Sequence, residues 1–144
     1  MFQYLGMFEK DPMNDQATIP TETSTAVTPV FLVLEKDMLI AEDIIATLKA
    51  MGPCRTIHVS SPDEIGAHLS VEARLTAALL EMQYAHVLEA GLDTHLAERG
   101  ARIILTIGED DMLHATERGW GMLVRPFTDQ TIRDVLAQWP SEPV

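Results

Sequence analysis

The sequence predicts an α/β domain wound around a parallel sheet. Three observations predict it. From Val30 onward, short β-rich runs alternate with helical patterns; the runs at 30–35 and 76–82 are apolar almost without a break; and both reach an acid at their far end, Glu35 and Glu81. Unbroken apolar strands belong to sheets covered on both faces, and strand–helix alternation is the pattern of crossover connections.

The first strand spans Val30 to Glu35 and leads into Asp37, which is placed to cap a helix. That helix carries Ile40, Ile44, Leu48 and Met51 on one stripe, with Ala41 and Ile45 beside it, until Gly52 and Pro53 stop it. Cys54 to Val59 reads as a second strand at a sheet edge, because Arg55 and Thr56 are polar. Ser61, Pro62 and Glu64 have the spacing of a capping box and open a short helix ending near Ser70.

Thr76 to Met82 is the third strand, followed by one helix from about His86 to Arg99 that is expected to bury Leu88, Leu92 and Leu96 before Gly100. Arg102 to Ile107 is the fourth strand and Gly119 to Val124 holds a short fifth, with a weak helical signal between them. Thr128 caps a last helix that presents Ile132, Val135, Leu136 and Trp139 on one face. The expected inventory is five strands and as many helices.

Residues 1–29 lack such periodicity. A sticky start with Phe2, Tyr4, Leu5 and Phe8 gives way to a Thr- and Pro-containing stretch, so they read as a flexible arm, with Met7 and Met13 as alternative starts. Residues 30–140 form the domain and 141–144 a C-terminal tail. At 144 residues and 47% hydrophobic content the chain can bury a core without disulfides. The single cysteine, Cys54, reads as an ordinary buried thiol and fits a reducing compartment.

Twenty-two acidic residues against ten Lys plus Arg give a net charge of -12, which argues against nucleic acid and membrane surfaces as partners. No apolar run reaches the roughly 20 residues of a membrane helix, and the N-terminus lacks a signal-peptide pattern, so the expected location is cytoplasmic.

The segment Phe31-Leu32-Val33-Leu34-Glu35-Lys36-Asp37-Met38-Leu39-Ile40-Ala41 resembles the first strand, acidic turn and first helix of the receiver domains of two-component response regulators. Arg125-Pro126-Phe127 is similar to their Lys-Pro-Phe. The resemblance runs from Val30 to Trp139. It implies a flavodoxin-like, three-layer, doubly wound, five-stranded parallel sheet in the order 2-1-3-4-5. It also implies a site beyond the strand ends, where such folds gather their functional groups.

In receivers an acidic pair holds magnesium, an Asp accepts phosphate, and a Thr or Ser and a Lys complete the site. The matching positions here are Glu35 with Lys36, then Glu81, Thr106 and Arg125. An ammonium at Lys36 repels a divalent cation that needs oxygen ligands, so no magnesium or other cofactor is expected. Glu81 sets its carboxylate about a bond length farther out than Asp, and errors near 1 Å can cost a reaction about 10²-fold. Arg125 replaces a point charge by a planar fork able to clamp Glu81.

Lys36 is then expected to take the metal's place between Glu35 and Glu81, with Arg125 opposite, so that Lys36→Ala destabilises the fold. Two readings of that site stand side by side: an imitation of the phosphorylated state, and an ion-pair cluster that only supports the fold. The usual signalling aromatic falls near Met122, so the Thr-to-aromatic relay is missing, and Trp120, Met122 and Phe127 become the candidate interaction surface.

Other signals have plainer explanations. The five histidines include no i, i+4 pair suited to a metal; His86, after Glu81 at a helix start, reads as a solvated residue, with the crevice rim as its alternative place. Glu109, Asp110 and Asp111 suit a first helical turn. Lys36-Asp37-Met38-Leu39 offers no Gly-rich phosphate loop.

The expectation is a stand-alone atypical receiver, not an enzyme, that binds a histidine kinase or other signalling protein, with output through a protein contact because no output domain follows Trp139. The alternatives are a receiver that still takes phosphate with magnesium, and a structural subunit that dimerises through the last strand and helix.

Overall fold

A computed structural model of the protein describes residues 28–72 and 74–138. Most of the expected arm, Trp139 and the C-terminal tail lie outside the described residues. The apolar runs become strands and the striped segments helices, in the order β1 (Val30–Leu34), α1 (Met38–Ala50), β2 (Arg55–Val59), α2 (Ile65–Leu69), β3 (Ala77–Leu80), α3 (Tyr84–Glu89), α4 (Leu92–Glu98), β4 (Arg102–Leu105), α5 (Met112–Glu117), β5 (Gly121–Met122) and α6 (Asp129–Ala137). Short 3-10 turns at Pro62–Glu64 and Glu109–Asp111 lead into α2 and α5.

The strands pair in parallel in the order β2-β1-β3-β4-β5, so the chain has the expected flavodoxin-like α/β fold. Alternation along each buried strand divides the interior into two cores. Leu32, Leu34, Ala78, Leu80, Ile103 and Leu105 face the layer of α2 to α5, where Ile65, Val87, Leu96 and Ala115 meet them. Phe31, Val33, Ala77, Leu79 and Ile104 face the other layer, where Ile44 and Leu48 of α1 join Ile132 and Val135 of α6. Residues of β1, β3 and β4 are almost wholly buried, which explains why those strands carry no polar alternation. Among the described residues no helix is long and apolar enough to cross a membrane.

Several local expectations are corrected. The helix expected from His86 to Arg99 is two helices, separated where Gly91 adopts φ +70, a left-handed conformation that suits glycine. The change of direction buries Val87 and leaves Leu88 half-buried, while Leu92 and Leu96 are buried as expected. Ser61 makes no side-chain cap, and Glu64 Oε1 accepts the N–H of Ser60 at 3.3 Å, one residue ahead of the N-cap amide, so neither half of the anticipated reciprocal pair forms. Met51 is exposed at the end of α1, and Cys54 is half-buried and unpaired. The weak signal before β5 is a short helix, α5, and with the expected third helix split into α3 and α4, six α-helices are described in place of five.

One close approach fixes the sheet's last strand. A Cβ on Gly121 would stand 2.8 Å from a methyl of Val135 and 3.2 Å from Ile104, so only glycine lets α6 press onto β5. Beside it, Arg102 Nη1 donates to the carbonyl of Val135 at 2.7 Å, and burial lowers the guanidinium's pKa from its ordinary value.

Candidate functional site

The site grows out of the strand alternation. The ladder continues one step past β1, β3 and β4: the N–H groups of Glu35, Glu81 and Thr106 donate to Val59, Leu34 and Leu80 carbonyls at 3.1, 3.0 and 2.9 Å. These three residues therefore stand at adjacent strand ends, where the winding direction reverses between β1 and β3. Arg125 comes to the same place from the segment after β5, with a cis peptide to Pro126.

Arg125 ties this group together. Its Nη2 donates to Glu35 Oε1 at 2.6 Å and to Thr106 Oγ1 at 3.2 Å, while Nε donates to the Thr106 carbonyl at 3.0 Å. Glu35 is buried, 1% exposed, and its other oxygen accepts the N–H of Asp37 at 3.1 Å. Thr106 is equally buried, and its hydroxyl also makes a long, 3.5 Å contact to the Leu80 carbonyl. Both polar side chains thus satisfy their needs inside the protein. The Phe127 ring, centred 5.5 Å from the Arg125 guanidinium carbon, covers that group from outside.

Glu81 is held differently. Its Oε1 accepts the backbone N–H of Lys36 at 2.9 Å. The Lys36 side chain is exposed and makes no ion pair among the described residues. Two expectations change accordingly. Lys36 does not bridge the two acids with its ammonium, because the turn after β1 points that side chain to solvent and uses its amide instead. Arg125 clamps Glu35 rather than Glu81: with Nε on the Thr106 carbonyl and Nη2 on the Thr106 hydroxyl at the end of β4, the fork is held so that Nη2 also reaches Glu35 at the end of β1.

Asp37 links the site to α1. Its Oδ1 caps the helix by accepting from Leu39 and Ile40 at 2.9 and 3.3 Å, while its own N–H binds Glu35. Two further contributors escaped the sequence reading. His58 Nε2 donates to the Glu35 carbonyl at 2.9 Å from the edge strand. Thr47 Oγ1, on α1, lies 3.1 Å from Asp129 Oδ1 at the start of α6. The strand register sets His58 opposite Val33 and so within reach of the Glu35 carbonyl, a pairing that residue type alone does not signal.

Beside Glu81 lies an open cleft of about 380 Å³, lined by Lys36, Glu81, Gln83 and His86 over Leu34 and Met82. His86, exposed in the first turn of α3, lines this rim, the alternative the sequence left open for it. The anticipated interaction residues sit apart. Phe127 belongs to the Arg125 end. Met122 and Trp120 are half-buried against the other core, and Trp120 is engaged by Tyr84, 5.3 Å between ring centroids, and by Arg118 at 5.6 Å. Trp120 is a packed residue more than a free anchor.

The residues do not suit a divalent cation. One carboxylate oxygen of Glu35 is on a guanidinium and the other on an amide, Lys36 offers no oxygen ligand, and no group of three His, Cys, Asp or Glu gathers among the described residues. The chain matches no family model, no curated protein and no solved structure.

Proposed function

We propose that this chain is an atypical, receiver-like module of two-component signalling that works by binding another protein, with its strand-end site fixed instead of switched by phosphate. The observation that carries this reading is the placement of Arg125 on Glu35 and Thr106. In a receiver-like site the acid after the first strand serves a metal and the hydroxyl after the fourth serves phosphate. Here a tethered guanidinium, which cannot leave or exchange, satisfies both.

Three further features support it. The strand order and the positions of Glu35, Glu81, Thr106 and Arg125 agree with a receiver's arrangement. Lys36 stands where a second metal-binding carboxylate is needed. Glu81 keeps a carboxylate at the acceptor position but spends one oxygen on the Lys36 amide. Of the two earlier readings of the cluster, the one in which it supports the fold fits best, since the ammonium that would complete a phosphate imitation points away. The partner under this reading is a histidine kinase or another signalling protein.

Incubation of the protein with magnesium and acetyl phosphate, read by intact mass, tests the proposal. The expected result is an unchanged mass and unchanged amide chemical shifts on addition of magnesium with beryllofluoride. One added phosphoryl group, removed by Glu81→Ala, sinks it.

A further inference from the structure

The cleft beside Glu81 carries two opposite charges that do not meet. Glu81 gives Oε1 to the Lys36 amide at 2.9 Å, and its Oε2 has no partner among the described residues. The Lys36 ammonium forms no ion pair there either. The amide bond holds the carboxylate against the lysine's own backbone, so the flexible four-carbon stem has to fold back sharply to reach it. Both charges line the same cleft of about 380 Å³, whose other walls include the apolar Leu34, Pro62, Met82 and Ile107. Mainly apolar walls with a few polar groups at set places are the make-up of a small-molecule site.

We propose that this cleft binds a free apolar α-amino acid, its ammonium on Glu81 Oε2, its carboxylate on the Lys36 ammonium and its side chain against Leu34 and Met82. The charges set other ligands apart. A phosphate or carboxylate alone faces Glu81 as a second anion and meets the net charge of -12, while an amine alone faces Lys36 as a second cation. A zwitterion brings both charges on neighbouring atoms, adds no net charge and spans the gap that the two side chains leave open. Glu81 is ordered beforehand, by its N–H on the Leu34 carbonyl at 3.0 Å and by the Lys36 amide, so little freedom is lost when the ammonium arrives. The proposal does not depend on the protein-binding reading above; it uses the carboxylate oxygen that the strand-end cluster leaves over.

The test follows amide chemical shifts of the full chain while leucine, isocaproate or isoamylamine is added up to about 50 mM, which covers millimolar affinities. Isocaproate is leucine without its ammonium, and isoamylamine is leucine without its carboxylate. Leucine is expected to saturate, with shifts centred on Lys36, Glu81 and Met82. Each half-ligand should bind roughly three- to fivefold more weakly, the upper range for an exposed ion pair. Glu81→Gln, which keeps an acceptor for the Lys36 amide, and Lys36→Met, which keeps the stem, should each weaken leucine binding by about that factor. Glu117→Gln and Lys49→Met make the same charge changes at exposed positions ending α5 and α1, at the opposite pole of the sheet, and should change it less than about twofold.

Absence of saturable shifts with leucine would overturn the proposal. Binding of either half-ligand as tightly as leucine would reduce the site to an apolar cleft with one charge and overturn it too. Indifference to Glu81→Gln or to Lys36→Met, or equal weakening by the variants at the opposite pole, has the same force. Phosphoryl uptake in the mass experiment strikes the fixed-site reading and leaves this titration standing, so the two fail separately.

Discussion

Arg125 Nη2 stands 2.6 Å from Glu35 Oε1, joining residues 90 positions apart, and the acid it meets is one of the few buried ionisable groups in the described chain. Without the guanidinium, Glu35 would keep only the Asp37 amide. Arg125→Ala is therefore expected to lower stability by about 2–4 kcal/mol, somewhat under the cost of breaking a wholly buried pair because Arg125 is partly solvated. Glu35→Leu combined with Arg125→Met should cost less than the two single changes together. Urea unfolding of the set measures this.

Lys36→Ala has the opposite outlook. The amide that holds Glu81 survives the substitution, and the ammonium lies in solvent. Stability should stay within about 0.5 kcal/mol of the parent, as for ordinary surface changes. A loss several times larger in thermal melting would restore the lysine to the cluster.

Asp37→Ala removes the oxygen that accepts from Leu39 and Ile40. A cost of about 1 kcal/mol is expected from the lost cap. Asp37→Asn, which keeps an acceptor there, should recover most of it, and the comparison is made by chemical denaturation with helix content followed by circular dichroism.

Gly121→Ala drives a methyl into Val135, whose branched side chain has little room to turn. Overpacking of this kind costs about 1–3 kcal/mol. Val135→Ala in the same chain should relieve part of the strain, a non-additivity readable from the double variant's unfolding midpoint.

The strands and α1 were legible because burial on both faces leaves an uninterrupted apolar mark, as in Phe31 to Leu34 and Ala77 to Leu80. The break between α3 and α4 was not, since Leu88, Leu92 and Leu96 keep helical spacing straight through Gly91. The strand-end residues were also legible, by position. Their partners were not: the sequence brings Glu35, Glu81, Lys36 and Arg125 to one pole, but which carboxylate a long cation reaches depends on rotamers and on Thr106 fixing the fork. A turn that aims a lysine outward while using its amide leaves no trace in residue type.

The Thr47 hydroxyl, within 3.0 Å of the Asp43 carbonyl and 3.1 Å of Asp129 Oδ1, latches the first helix to the last across 82 positions. Synthesis from the N-terminus therefore leaves Ile44 and Leu48 without their α6 partners until Ile132 and Val135 emerge. One half of the interior closes only with the final element of the domain, a non-local event that slows folding and keeps an apolar helix face uncovered on the growing chain.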